Sequence, residues 1–172
     1  MPVADHVPSH PSGGTRRVVV FACGDPLRGD DSVAHVACRA LPPEALARAD
    51  VRLTGALEAE HLRDLAAGTR AIVVDAVVGP APGELVEMEL AEMGRRAESV
   101  VTTSTHQLPL DQVVAIGQLF RDEPVTGRFI GLAIESVQLG GEPSESVAAS
   151  IELLTGAVAR AVSELDAENP DT

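Results

Sequence analysis

The sequence predicts an α/β sandwich built around a mostly parallel sheet, and three observations carry that prediction. Apolar, β-branched runs alternate with amphipathic segments at short spacing along the chain. The runs at Arg17–Ala22 and Ala71–Ala76 are almost unbrokenly apolar, as strands covered on both faces are. By contrast, Leu85–Leu90 (LVEMEL) alternates strictly, which marks a half-exposed antiparallel or edge strand.

The elements follow in order. Arg17–Ala22 is bounded by Gly24 and forms the first strand. Asp31–Leu41 places Val33, Val36, Ala37 and Ala40 at helical spacing and stops before Pro42-Pro43. Val51–Leu57 makes a second strand, and Ala59–Ala67 a short helix closed by Gly68. Ala71–Ala76 follows, ending on a single carboxylate, Asp75, and then the Pro- and Gly-rich loop VVGPAPGE leads to Leu85–Leu90. A polar loop, Thr102–Leu108, holds His106, and Pro109 opens a helix over Leu110–Phe120. Arg128–Glu135 is the fifth strand, and Ser144–Leu165 a long final helix. One domain is expected over residues 16–165, with polar tails at 1–15 and 166–172 expected to be disordered.

Composition removes several function classes. A formal net charge of −13 opposes binding to nucleic acid or to an anionic membrane surface. All 13 basic residues are Arg; without Lys there is no P-loop, no Schiff-base lysine and no Ser-Lys dyad. Neither GxSxG nor HExxH occurs. With only 2% aromatic residues, the core must be made of Val, Leu, Ile and Ala. Cys23 and Cys38 read as free, buried thiols. No single apolar run reaches the ~18 residues of a membrane span, and the start MPVADHVPSHPSGGT does not resemble a signal peptide. A cytoplasmic location is the expectation.

In an open α/β sheet, ligands sit beyond the carboxyl ends of the strands, where the connections diverge. Asp30 and Asp31 fall there after strand one, Asp75 at the end of strand three, and His106 in the loop before the third helix. Each has an ordinary reading. Asp30 or Asp31 can be a helix N-cap, and His106 alone is an unremarkable surface histidine. Asp75 is harder to account for, because a carboxylate ending a buried strand is costly unless paired. Together, carboxylates and an imidazole at one edge would be relieved by a divalent cation, and oxygen–nitrogen ligation suits Zn, Ni, Mn or Fe better than Mg or Ca. One aspartate is then expected to cap and the other to face the metal. As a cap, Asp30 would be replaceable by Asn for about 1 kcal/mol or less. His35, one turn after Asp31, is a rival ligand, disfavoured because the inward face runs through Val33, Val36 and Ala37. His61 lies in a solvated helical pattern, and His6 and His10 in the tail.

The segments CGDPLRGDD, VVDAVVGPAPGE and TSTHQLPLDQVVAI resemble, in order and spacing, the motifs of the NiFe-hydrogenase maturation endopeptidases. IGLAIESVQLGGEPSESV resembles that family's fifth strand and the loop after it, so the likeness runs from Val18 to Val162. The resemblance implies a three-layer α/β/α fold with a five-stranded mixed sheet, one strand antiparallel. It implies a peptidase that removes a short C-terminal extension from a hydrogenase large-subunit precursor after nickel insertion. Asp31, Asp75 and His106 would be its nickel-contacting and catalytic residues, with Asp30 as a cap or a supporting partner. The nickel would come with the precursor and be held weakly by the free protein, which is expected to act as a monomer. Asp25 stands where the family usually has Asn, and Ser32 and Ala34 where it usually has Gly, which should stiffen the start of the helix. Either Asp30 or Asp75 can accept a proton in hydrolysis. A non-catalytic nickel-binding or metallochaperone module would use the same ligands. A phosphate-binding domain at GDPLRGDD is opposed by its carboxylates, which repel an anion.

Overall fold

The computed structural model describes residues 17–93, 101–102, 109–136 and 139–168. Strand β1 (Val18–Ala22) leads through a 3-10 turn (Gly29–Ser32) into helix α1 (Val33–Arg39), then α2 (Pro43–Arg48) and β2 (Ala49–Leu53). Next come α3 (Ala59–Arg63), β3 (Arg70–Val78), β4 (Leu85–Glu89), α4 (Leu90–Met93) and the two-residue β5 (Val101–Thr102). The chain ends with α5 (Leu110–Leu119), β6 (Thr126–Ala133), α6 (Glu145–Ala148) and α7 (Ile151–Ala167).

The sheet order is β2-β1-β3-β6-β4, with β5 paired to β3. β2, β1, β3 and β6 are mutually parallel, and β4 pairs antiparallel with β6. This is the five-stranded mixed sheet expected, with LVEME as its antiparallel edge. The short β5 is an addition. It pairs antiparallel with Val77 and Val78, along the edge of β3 that β1 leaves after Val74.

Alternation along β1 and β3 divides the interior into two cores. Val18, Val20, Ala22, Ile72, Val74 and Ala76 face α1, α2 and α7. Val19, Phe21, Cys23, Ala71, Val73 and Val77 face α3, α4 and α5. That is a three-layer sandwich. By parity, Asp75 belongs to the second face, in line with Cys23 rather than with α1.

The differences from the sequence expectations have local causes. Pro43 does not stop the chain from turning helical but opens α2 at its first position, where a missing N–H costs nothing. On α1 the buried residues are Val33, Ala34, His35, Ala37 and Cys38, while Val36 is 39% exposed; the inward face is rotated from the one expected. The final helix is broken at residues 149–150, where the Ser150 hydroxyl donates to the Ser146 carbonyl at 3.0 Å and competes with the helical ladder. It also runs past Leu165 to Ala167. By length and hydropathy Glu145–Ala167 would suit a membrane span, but Leu154, Ala157, Val158, Ala161, Val162 and Leu165 are buried in the first core.

Helix α3 is only five residues long, and its carboxyl end is closed from outside. Nη1 of Arg121 donates to the carbonyls of Leu62, Arg63 and Leu65 at 3.1, 3.0 and 2.5 Å. A cation at a helix carboxyl end also complements its dipole. Arg121→Gln should therefore lower stability by about 1–3 kcal/mol, read as a drop in melting temperature by circular dichroism. An unchanged melt would show that this contact is dispensable.

Candidate active site

β1 and β3 are adjacent strands whose onward connections leave in opposite directions, the first to β2 and the second toward β4 and β6. Their carboxyl ends form the crevice where α/β sheets bind ligands. The β1 ladder continues one residue further, with Cys23 N–H donating to the Val74 carbonyl at 2.8 Å. Gly24 then takes φ +112°, and a Cβ there would lie 2.1 Å from the Asp31 carbonyl oxygen. Only glycine allows this approach. The turn brings the Asp25 N–H to Oδ2 of Asp31 at 2.9 Å. Asp25 itself is turned into its own loop, accepting from Leu27 N–H at 2.9 Å and pairing with Arg28 at 3.4 Å. Its extra charge is thus partly answered locally.

Asp31 is buried, 9% exposed. Asp75 keeps some contact with solvent, and its Oδ1 accepts the N–H of Ala76 at 2.8 Å. Its carboxyl is nonetheless pushed up to about 7. Burial is the main cause, the Ala76 hydrogen bond opposes it, and the Asp31 charge adds to the rise. The sequence-predicted pair therefore meets electrostatically at one sheet edge.

Of the two roles expected of Asp30, cap or supporting partner, the structure does not show the cap. It makes no cap bond on its own 3-10 turn or on α1. Its Oδ2 accepts the N–H groups of Glu135 and Ser136, each at 3.0 Å, and the Ser144 hydroxyl at 3.0 Å. Its Oδ1 accepts the N–H of Ser144 at 2.5 Å. Burial would raise its pKa, but the bonds from Ser144, Ser136 and Glu135 overcome that and hold it below the ordinary carboxylate range. Asp30 is a clamp between the turn carrying Asp31, the end of β6 and the start of α6. Sequence reasoning missed these partners because no local pattern links residue 30 to residue 144.

His106 lies outside the described residues. Among the described residues, no group of three His, Cys, Asp or Glu side chains is arranged to hold a metal ion. His35 is buried on α1 with Nε2 3.0 Å from the Thr54 carbonyl. His61 is engaged at the start of α3, where its Nδ1 accepts the Glu58 N–H at 3.0 Å. Both cysteines are free and buried. Burial, then the Asp75 charge, pushes the Cys23 thiol far up, and burial pushes Cys38 up to about 12. A thiol without thiolate character is a poor nucleophile, so neither cysteine is poised to act as one.

The pattern characteristic of HycI hydrogenase maturation proteases matches residues 44–161, more than half of the chain. The chain belongs to the hydrogenase maturation protease family. It is accordingly a hydrolase, a peptidase. Solved structures agree with the fold of the protease. The hydrogenase maturating endopeptidase HybD from E. coli is 24% identical with a TM-score of 0.69, over 86% of this chain and 93% of that one. The NiFe-hydrogenase maturation protease HycI from Thermococcus kodakarensis KOD1 is 26% identical with a TM-score of 0.60, over 88% and 95%. HybD from Thermococcus kodakarensis is 22% identical with a TM-score of 0.64, over 84% and 97%. No curated protein sequence matches the protease.

Two predictions follow from these carboxylates, with opposite signs. Between its ordinary value of 3.8 and about 7, Asp75 holds a proton when folded that it has lost when unfolded. Its contribution to stability therefore falls as pH rises through that window. Asp75→Asn should be more stable than the parent by about 1–3 kcal/mol at pH 8, the gain shrinking toward pH 4; a gain independent of pH would contradict the shift. For Asp30 the stabilisation is present above the ordinary carboxylate range and is lost as pH falls through its depressed value. Asn offers one acceptor oxygen where four donors converge, so Asp30→Asn should cost about 2–3 kcal/mol, rather than the small loss expected of a cap. A thermal melt decides between the two.

Proposed function

We propose that this protease removes a C-terminal extension from the large-subunit precursor of a NiFe hydrogenase after nickel insertion. In this reading Asp31, Asp75 and His106 contact the nickel that the precursor carries. The observation that supports it is the coupling of Asp31 and Asp75 across the ends of β1 and β3, with Asp75 held near neutrality. A divalent cation arriving there displaces the proton on Asp75 and removes the repulsion between the two carboxylates. His106 supplies a nitrogen donor, a set that suits nickel. Nickel so placed supplies Lewis-acid polarisation of the scissile amide. Asp31 and Asp75 hold and orient it, and the buried thiols stay protonated. With no thiolate donor, the free protease holds nickel weakly and reversibly.

The test is incubation with nickel-loaded and nickel-free precursor, followed by intact mass. Only the loaded precursor should lose its C-terminal peptide. Equal cleavage of both would refute recognition through nickel, and cleavage of neither would favour a non-catalytic nickel-binding module. Asp31→Asn should reduce processing by roughly 100-fold with little change in the melt. Because the cation competes with the proton on Asp75, nickel affinity measured by calorimetry should rise with pH through about 7. A flat pH profile would remove Asp75 from the contact set.

A further inference from the structure

His35 carries a buried polar group that the site described above does not use. The side chain is 6% exposed. Its Nε2 lies 3.0 Å from the Thr54 carbonyl, which can only accept, so the proton sits on Nε2. Nδ1 is then a bare acceptor, and it is buried without a hydrogen-bond partner. A leucine at this position would avoid that desolvation cost while filling similar space, so the imidazole calls for a reason.

The reason lies in what Thr54 touches. Its N–H donates to the Ala22 carbonyl at 2.8 Å, extending the β1–β2 ladder. The next carbonyl, that of Gly55, accepts the Gly24 N–H at 2.9 Å. Gly24 lies against the Asp31 backbone, and the adjoining Asp25 N–H holds Oδ2 of Asp31. Asp31 and His35 are one helical turn apart on the same segment. The bonds thus form a closed ring, from α1 through His35 to the Thr54–Gly55 loop, on to Gly24–Asp25, and back to the Asp31 carboxylate.

We propose that His35 is a positioning residue for Asp31. Its Nε2–H fixes the Thr54–Gly55 loop, which holds the Gly24–Asp25 turn, which orients the carboxylate. This rests on the reading of Asp31 as a nickel contact, so the experiment includes a measurement that does not. H35Q keeps an N–H donor at the reach of Nε2. H35N places its amide where Nδ1 sits, short of Thr54. H35L removes the donor but keeps an apolar side chain of similar size.

The amides of Gly24 and Asp25 are followed by NMR hydrogen exchange in the full-length chain, alongside kcat and KM on the nickel-loaded precursor. In H35N and H35L these two amides should exchange about tenfold faster, with the rest of α1 and β2 keeping their protection. Cleavage kcat should fall roughly tenfold with KM little changed, and H35Q should restore both readouts. Protection of Asp25 equal to the parent's in H35L overturns the proposal, as does a loss of protection spread across α1 and β2. H35L stands in if H35N fails to fold. If Asp31→Asn cleaves normally, the nickel-contact reading fails, while the exchange of Asp25 still decides whether His35 braces the turn.

Discussion

The geometry at the carboxyl end of the sheet depends on one close approach, the backbone of Gly24 against the carbonyl of Asp31. Any side chain at residue 24 would have to occupy the space of that oxygen. The approach folds the nine residues CGDPLRGDD back on themselves, so that the same turn ends β1, starts α1 and delivers an N–H to a carboxylate. Move that backbone outward and Asp31 loses both its position beside β3 and its Asp25 partner. The apolar run before it and the helix after it serve as rigid mounts.

Four carboxylates crowd this end of the molecule, and each meets the cost of its charge differently. Asp30 is surrounded by donors from a distant loop. Asp25 turns to its own backbone and to Arg28. Asp31 accepts a backbone N–H. Asp75, near Asp31 and short of donors, answers by holding a proton. That difference separates carboxylates that maintain shape from one held near its own titration point.

The strands were largely legible in the sequence because burial on two faces leaves so plain a signal. The runs around Val20 and Val73 and the alternation of Leu85, Val86, Glu87 and Met88 each declared their place. What sequence could not display was set by partners far along the chain. The burial of His35 in place of Val36 depends on a carbonyl 19 residues away, and the work of Asp30 on groups more than a hundred residues away. The first helix does stop before Pro42-Pro43, but α2 went unread because a proline that ends one helix can equally begin another. Asp31 and Asp75 were legible as candidates, since charge at the end of an apolar strand has few structural excuses, and the fold brings the two charges near each other; the His106 expectation falls on residues outside those described.

The two outermost strands have a consequence for how a polypeptide can reach this crevice. β2 carries Asp50 and Arg52, paired at 2.9 Å. β4 carries Glu87 and Glu89, held by Arg160 and Arg128. Charged side chains of this kind discourage an extended chain from adding to a sheet as a further strand. Both flanks of the sheet are thus guarded against lateral zippering. A polypeptide is thereby discouraged from joining the sheet at either flank, and the carboxyl ends of the strands are left as the side of the sheet that this guard does not cover.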